Sequence, residues 1–182
     1  TGVQARHQAK CLLDVMPLEA IYCWGRNEKR LDELKRDLSD LDVSITVCSD
    51  LRELIGHSQL IITTTSAKEP IIDMEWVQPG THITAVGSDT PEKCELDPII
   101  LDRASVVVAD SISQNKERGE IHQGLKLGTV KEEDILELGD IFSGNTKGRT
   151  DRDQITVVDL TGVAVQDLVI AEAVVKAKNH ID

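Results

Sequence analysis

Apolar residues along the chain follow two alternating patterns, one typical of helices and one typical of strands. Between residues 3 and 15 they recur at helical spacing, and Pro17 stops the pattern. Beyond Asn27, which can cap a helix, leucines recur every three or four positions among charged residues, at Leu31, Leu34, Leu38 and Leu41. This spacing predicts an amphipathic surface helix. A short helix is predicted from Asp50 to residue 55, and a long one over residues 163–178.

Short apolar runs separate these helical segments and predict buried strands. They occupy residues 20–24, 43–48, 60–63, 82–86, 105–109 and 155–160. Strands that alternate with helices indicate a Rossmann-like α/β fold, a doubly wound parallel sheet with helices on both faces. We expect residues 1–160 to form this domain and residues 161–182 to form a C-terminal helix.

The second half of the chain is less regular. Residues 119–127 are predicted to be a loop, residues 131–138 a charged helix, and residues 144–153 a loop rich in Gly, Arg and Asp. The last of these loops suits either a mobile surface segment or a lid.

Composition narrows the function classes. With 32 acidic and 20 basic residues the net charge is −12, so we do not expect a nucleic-acid partner. The sequence contains neither a run of eighteen apolar residues nor a signal peptide, so we expect no membrane association and a cytoplasmic location. The 4 cysteines form no Cys-x-x-Cys pair, so no metal site is expected.

The beginning of the chain resembles part of a phosphate-binding turn. In a Gly-x-Gly-x-x-Gly/Ala turn, Gly2 would be the second glycine and Ala5 the final small residue. Such turns bind pyrophosphate because the start of the following helix offers free N–H groups. The first glycine and the first strand would precede Thr1, and a plain helix start is the alternative interpretation. We expect another segment or a second chain to fill the place of that strand, or the sheet to be rearranged, because proteins avoid bare strand edges.

A second landmark follows roughly twenty residues later, where a nucleotide site carries an acid for the ribose hydroxyl or an arginine for a 2′-phosphate. Here the strand ends in Cys-Trp-Gly-Arg-Asn, with Arg26 and no carboxylate. Arg26 therefore favours NADP(H), with NAD(H) as the alternative. A solvated loop arginine would give the same pattern.

Three sequence blocks resemble the ornithine cyclodeaminase/mu-crystallin family. Residues 2–8 read Gly-Val-Gln-Ala-Arg-His-Gln, residues 85–96 read Ala-Val-Gly-Ser-Asp-Thr-Pro-Glu-Lys-Cys-Glu-Leu, and residues 159–167 read Asp-Leu-Thr-Gly-Val-Ala-Val-Gln-Asp. They occur in the family's order and span most of the chain. In this family a substrate-binding and dimerisation region precedes the Rossmann domain, and its residues are absent here.

The resemblance implies hydride transfer between a nicotinamide and the α-carbon of a small amino or imino acid, in a homo-oligomer. It assigns Asp89 as the catalytic acid/base, whereas the residues alone would also suit an Asp that starts a turn. The candidate cofactor-binding residues are Gly2, Val3, Gln4, Arg26, Asn27, Thr63, Thr64, Thr65, Val86, Gly87 and Gly162. Lys93 and Glu95 are interpreted as a solvated charge pair.

Three hypotheses follow. The first is an NADP(H)-linked oxidoreductase domain of the ketimine reductase or amino-acid dehydrogenase type. The second is an ornithine cyclodeaminase, a lyase that recycles NAD and would normally carry an acid near position 26. The third is a truncated module without catalysis, so whether this chain alone is an enzyme stays open.

Overall fold

Helices and parallel strands alternate along the chain in the computed structural model, which describes residues 1–178. The helices are α1 (Val3–Val15), α2 (Glu28–Asp37), α3 (Leu51–His57), α4 (Ile99–Arg103), α5 (Ile112–Asn115), α6 (Glu120–Leu127), α7 (Leu138–Phe142) and α8 (Ala164–Lys178). The strands are β1 (Ala20–Cys23), β2 (Ser44–Val47), β3 (Leu60–Thr63), β4 (His82–Ala85), β5 (Val106–Ala109), β6 (Ile135–Glu137) and β7 (Thr156–Asp159). The Rossmann-like α/β class is confirmed. The last four residues of the expected C-terminal helical segment lie outside the described residues.

Local sequence signals account for the helix starts. The side chain of Asn27 accepts a hydrogen bond from the N–H of Arg30 at 3.0 Å and thereby caps α2. Asp50 caps α3 in the same way, by accepting from the N–H of Arg52 at 2.8 Å. Both caps agree with the sequence prediction.

The strands form two separate parallel sheets. One contains β1 and β2, and the other has the order β3-β4-β7-β5-β6. In the centre of the larger sheet, Val157 of β7 lies between Ile83 of β4 and Val107 of β5. Because all pairs are parallel, the carboxyl ends of the strands in each sheet lie at one edge.

A groove separates the two sheets. Within residues 1–178, β1 pairs only with β2, and β3 is hydrogen-bonded only to β4, which leaves one edge of each strand open. A cavity of about 580 Å³ is lined by β1 and β3 along their whole lengths and by apolar side chains of α1, α2 and α3. No described segment of the chain occupies the missing position, so its occupation by another segment or a second chain stays a prediction.

The buried side chains form two clusters that correspond to the two sheets. The larger contains 16 buried apolar residues around β3, β4, β5 and β7, including Ile83, Leu96 and Ile121. The smaller consists of Ala9, Leu34 and Leu38. The larger sheet therefore has most of the hydrophobic stabilisation.

Two predictions for the second half of the chain are wrong. Residues 120–127 form the helix α6, which starts after Gly119 at φ +95° and ends at Gly128 at φ +75°. Residues 132–134 form a 3₁₀ turn, and residues 135–137 form β6 instead of a charged helix. The pairing of Ile135 with Val107 of β5 outweighs the helical preference of the acidic residues around it.

The long C-terminal helix α8 agrees with the prediction, but none of its side chains is buried. Its apolar residues, including Leu168 and Ile170, are exposed on all sides. Within residues 1–178 no helix combines the length and apolar character needed to cross a membrane.

Candidate functional site

The candidate residues gather at the carboxyl ends of the strands and at the start of α1. Arg26 and Asn27 follow β1, residues 63–65 end β3, residues 86–89 follow β4, and Gly162 follows β7. The start of α1 joins them because a Cβ on Gly25 would lie 2.6 Å from Cγ2 of Thr1. This is the edge at which open α/β sheets bind ligands.

The start of α1 is open to a ligand. Gly2 is its N-cap and makes no side-chain capping bond. A Cβ on Gly2 would meet nothing within 4 Å. Arg6 steadies the turn by donating to the carbonyl of Thr1 at 2.6 Å and to Asp37 of α2 at 2.7 Å. The first N–H groups of α1 therefore lack a side-chain cap, an arrangement suited to an anion.

Arg26 is exposed beside this turn. Val3 and Gln4, in the first turn of α1, are exposed as well. Asn27 is also exposed, but its side-chain oxygen is engaged in capping α2. The capping role of Asn27 is thus confirmed, while its cofactor-binding role stays a prediction.

Asp89 lies on the loop after β4 and pairs with Lys93. The Nζ of Lys93 contacts Oδ1 of Asp89, and the Asp89 side chain is 54% exposed. Ser88 donates to the carbonyl of Lys93 at 2.8 Å, which holds this loop closed. Asp89 therefore presents an accessible carboxylate at the candidate site.

Glu95 is fully buried, so its interpretation as one half of a solvated charge pair is wrong. Its carboxylate accepts hydrogen bonds from the hydroxyl of Thr63 at 2.7 Å, the N–H of Thr65 at 2.5 Å and the N–H of Gly87 at 2.9 Å. These three donors satisfy both carboxyl oxygens without a cation. One side chain thereby joins the loops that follow β3 and β4.

Gly87 lies against the loop after β3. A Cβ at this position would lie 2.2 Å from the carbonyl oxygen of Thr65 and 2.6 Å from Cδ of Glu95. The close packing of the two loops therefore requires glycine here, whether or not a ligand also approaches. Val86, the preceding residue, donates its N–H to the carbonyl of Thr63 at 3.0 Å.

Glu120, at the first position of α6, is a second buried carboxyl group. It accepts from the N–H of Glu95 at 2.8 Å and of Leu96 at 3.1 Å. Burial raises the pKa of Glu120 to about 7. The Sγ of Cys94 lies 3.6 Å from the same carboxyl, and burial raises the pKa of this thiol to about 12. The loop that carries Asp89 is thus fastened to α6.

The turn after β7 is held by neighbouring polar residues. Asp110 accepts from the N–H of Gly162 at 2.8 Å, and Gln114 donates to the carbonyl of Gly162 at 2.6 Å. Gly162 has φ +85°, a conformation that favours glycine. Just before it, burial raises the pKa of Asp159 to about 8. Gly162 is exposed, so this turn offers its backbone at the same edge.

The loop at residues 144–153 lies at the opposite edge, before the amino end of β7. Arg149 donates to the carbonyl of Gly80 at 2.8 Å and to the hydroxyl of Thr156 at 3.0 Å. His82 binds the same hydroxyl through Nδ1 at 2.6 Å. A lid over the candidate site is therefore not supported, and His82 has a structural environment.

Sequence reasoning missed the buried carboxyl groups Glu95, Glu120 and Asp159. Their burial was not predicted because each lies in a segment where acids are usually exposed. Glu95 is in a polar loop, Glu120 in a segment interpreted as a loop, and Asp159 at a strand end. The one usable signal was Asp159, an acid that ends an otherwise apolar strand. Sequence reasoning also missed Asp110 and Gln114. Their hydrogen bonds to Gly162 join residues that are 52 and 48 positions apart in the sequence.

The structure has a Rossmann-like α/β fold, and its structural relatives with this fold include a dehydrogenase with bound NAD. The sequence profile of the ornithine cyclodeaminase/mu-crystallin family matches residues 1–180. The chain belongs to this family, and the resemblance of the three sequence blocks is confirmed.

Individual relatives agree with this membership. The chain is 38% identical, over 93% of its length and 52% of the relative, to an uncharacterised cyclodeaminase of Sinorhizobium fredii. An archaeal alanine dehydrogenase dimer with bound NAD superposes with a TM-score of 0.91 and 33% identity, over 98% of this chain and 56% of that one. The Δ1-pyrroline-2-carboxylate reductase of Thermococcus litoralis, in complex with NADH and L-proline, superposes with a TM-score of 0.92 and 30% identity. The match covers 98% of this chain and 56% of that one. The chain thus spans about half the length of these relatives.

Proposed function

We propose that this chain binds a nicotinamide dinucleotide along the carboxyl edge of its sheets and contributes to hydride transfer at the α-carbon of a small amino or imino acid. The observation that carries the proposal has two parts. An uncapped helix start and an exposed arginine lie at the carboxyl edge of the smaller sheet, and an accessible Asp89 lies at the carboxyl edge of the larger one. Thr1, beside the helix start, and residues 63–65 of the larger sheet line the same cavity. The named activities of two structural relatives, alanine dehydrogenase and pyrroline-2-carboxylate reductase, concern the same kind of carbon atom.

The pyrophosphate is proposed to bind at the start of α1. There Gly2, Val3 and Gln4 offer backbone N–H groups, and Gly2 has open space around its Cα. The absence of a Cβ on Gly2 lets a phosphate approach the backbone closely. Arg6 is occupied by Asp37 and by carbonyl groups, so it orients the turn rather than binding the ligand.

The adenosine half is proposed to lie beside Arg26 and Asn27. An exposed guanidinium in the position where NAD-binding domains carry an acid suits a 2′-phosphate, so NADP(H) is the favoured cofactor. NAD and NADH are the molecules bound in the structural relatives, so NAD(H) is the alternative.

The nicotinamide half is proposed to lie against residues 63–65 and 86–87 and the turn at Gly162. When bound, the nicotinamide accepts or supplies the hydride. Asp89 then exchanges a proton with the substrate nitrogen, for which an accessible carboxylate on a fixed loop is suited. Lys93 orients that carboxylate by pairing with one of its oxygens.

An ornithine cyclodeaminase is the second candidate, supported by two relatives named as cyclodeaminases, one of them a lysine cyclodeaminase whose title also names L-ornithine. It would recycle its NAD and release ammonia, whereas a reductase consumes the reduced cofactor. A domain that binds cofactor without turnover is the third. We also expect a homodimer, as in the archaeal relative.

Titration of the purified chain with NADPH and, separately, NADH tests the cofactor proposal through nicotinamide fluorescence. We expect tighter binding of NADPH and loss of that preference in Arg26→Asp. Arg103→Asp is the matched control, because Arg103 is exposed at the end of α4, near the amino edge of the sheet. Equal affinity for both dinucleotides in the wild type would contradict the NADP(H) preference, and no binding of either would contradict the proposed site.

Turnover separates the three candidates. Oxidation of the reduced cofactor by a cyclic imino acid supports the reductase if it is lost in Asp89→Asn but not in the control Asp102→Asn, which alters an exposed aspartate of α4. Ammonia release from ornithine without net cofactor change supports the cyclodeaminase. Cofactor binding without either reaction supports the non-catalytic domain.

A further inference from the structure

We propose that Glu95 is a positioning residue that locks the two loops on the nicotinamide side together and thereby fixes Asp89. These loops are residues 63–65, which begin with the last residue of β3, and residues 86–89 after β4, and they are called the nicotinamide loops below. The inference rests on the proposed function, in which both loops contact the cofactor.

The three donors that meet Glu95 belong to these two loops. Oε2 accepts from the hydroxyl of Thr63 and the N–H of Gly87, and Oε1 accepts from the N–H of Thr65. The same carboxylate group is thus shared between strands β3 and β4 at their carboxyl ends. Within residues 1–178 no Lys, Arg or His forms an ion pair with Glu95, so the nicotinamide loops supply its polar partners.

The contact between Glu95 and Gly87 also closes the loop that carries Asp89. Gly87 and Glu95 are 8 positions apart, and Asp89 and Lys93 lie between them. The backbone N–H of Glu95 is in turn fixed by the buried carboxyl of Glu120. Both ends of the loop are therefore anchored in the core, while the Asp89 carboxylate at its surface stays accessible.

Neutralising Glu95 would leave this arrangement short of acceptors. A glutamine has one acceptor oxygen, and its NH₂ group would face the backbone N–H of either Thr65 or Gly87. At least one buried donor would lose its partner, and the two loops would separate. We therefore expect looser nicotinamide loops without a change at the start of α1, which makes no contact with Glu95.

The variants are Glu95→Gln and the milder Thr63→Val, which removes a single hydrogen bond to Glu95. Thr63→Val keeps the proposal testable if Glu95→Gln does not fold. Glu69→Gln is the matched control, because Glu69 is an exposed glutamate on the connection between β3 and β4. All three variants are compared with the unsubstituted chain.

Two ligands separate positioning from general instability. The first is whichever of NADPH and NADH binds the wild type more tightly, and the second is the same molecule without its nicotinamide, 2′-phospho-ADP-ribose or ADP-ribose. In Glu95→Gln we expect the dinucleotide affinity to fall about tenfold or more while the affinity for the nicotinamide-free ligand is unchanged. Thr63→Val should show a smaller loss of the same kind. A parallel loss of both affinities, or no loss of either, overturns the proposal.

Hydrogen exchange without any cofactor tests the lock separately from the proposed function. We expect faster exchange of the Thr65 and Gly87 amides in Glu95→Gln, with unchanged exchange in β7. If the wild type binds no dinucleotide, the proposed function fails, and the exchange data alone decide on Glu95. Exchange equal to that of the wild type at both amides would then overturn its role in locking the loops.

Discussion

Asn115 and Asp159 each bury a side-chain oxygen, Oδ1 in both, that meets no hydrogen-bond donor within the described part of the chain. The two residues are neighbours, because Nδ2 of Asn115 donates to the backbone carbonyl of Asp159 at 3.3 Å. The other carboxyl oxygen of Asp159 accepts from the N–H of Ile121 at 2.8 Å. A proton on the Asp159 carboxyl removes a buried negative charge that would otherwise lie on a group with an unpartnered oxygen. Burial raises the pKa of Asp159 to about 8, which agrees with a neutral carboxylic acid at pH 7.

The first prediction concerns the pH dependence of stability. An acid whose folded pKa of about 8 exceeds its ordinary value of 3.8 binds more protons in the folded than in the unfolded state between these two pH values. The free energy of unfolding therefore falls as the pH rises from about 4 to about 8, by at most about 1.4 kcal/mol per pH unit for one group. Asp159→Asn mimics the neutral form, so we expect a flatter stability profile and higher stability than the wild type at pH 8.

Urea unfolding at pH 5, 6, 7 and 8 measures this difference. The slope does not vanish in the variant, because Glu120, with a pKa of about 7, contributes in the same direction. Asp14→Asn, at an exposed position of α1, removes the same charge and controls for net-charge effects. Parallel profiles for the wild type and Asp159→Asn would show that Asp159 is ionised in the folded protein.

The second prediction contrasts two glycines. A Cβ on Gly87 would lie 2.2 Å from a backbone oxygen, so we expect Gly87→Ala to lower the free energy of unfolding by about 3 kcal/mol. Gly2→Ala meets open space, so its cost in stability should stay below about 1 kcal/mol. If pyrophosphate binds at α1, Gly2→Ala instead weakens dinucleotide binding. Chemical denaturation and cofactor titration of both variants measure the two effects, and equal stability losses would contradict the assignment.

The sequence alone predicted most of the first half of the chain because its signals are local. The spacing of Leu31, Leu34 and Leu38 and the cap at Asn27 identify α2 without knowledge of its neighbours. In contrast, β6 depends on the pairing of Ile135 with a strand 28 positions earlier. No local pattern reports such a pairing, and the surrounding acids suggest a helix.

The candidate site shows the same division between local and distant signals. The positions of Asp89 and of the small residues at strand ends could be predicted because they follow apolar runs, whereas the role of Asp89 rests on the family resemblance and stays a prediction. The burial of Glu95 could not, since its donors at Thr63 and Thr65 lie 32 and 30 positions away. In the sequence, Glu95 lies near Lys93 and suggests an exposed ion pair. Its burial becomes evident only when the loop after β3 packs against it.

The third prediction concerns thiol reactivity. Cys94 is buried beside the carboxyl of Glu120, and burial raises its pKa to about 12, so almost no thiolate exists at pH 8. Cys11 is exposed on α1. We expect an aromatic disulfide reagent to modify Cys11 at once and Cys94 only after unfolding. Mass spectrometry of the wild type and Cys11→Ser identifies the sites, and rapid modification of Cys94 in the folded variant would contradict its burial.

The fourth prediction follows from the groove between β1 and β3. With only Ala9, Leu34 and Leu38 buried in its cluster, the part of the chain around the smaller sheet should unfold locally before the larger sheet. We expect amides of β1 and β2 to exchange faster than those of β4 and β7. Leu38→Ala should accelerate exchange around the smaller sheet alone. Leu96→Ala, which alters a fully buried residue of the larger cluster, should destabilise β4 and β7.

The same exchange measurement shows whether a second copy of the chain fills the groove. Occupation by a strand would pair the open edges of β1 and β3 and join the two clusters. Protection of β1 would then approach that of β4 and increase with protein concentration, because association is bimolecular. Fast exchange of β1 at every concentration would show that copies of this chain leave the groove open.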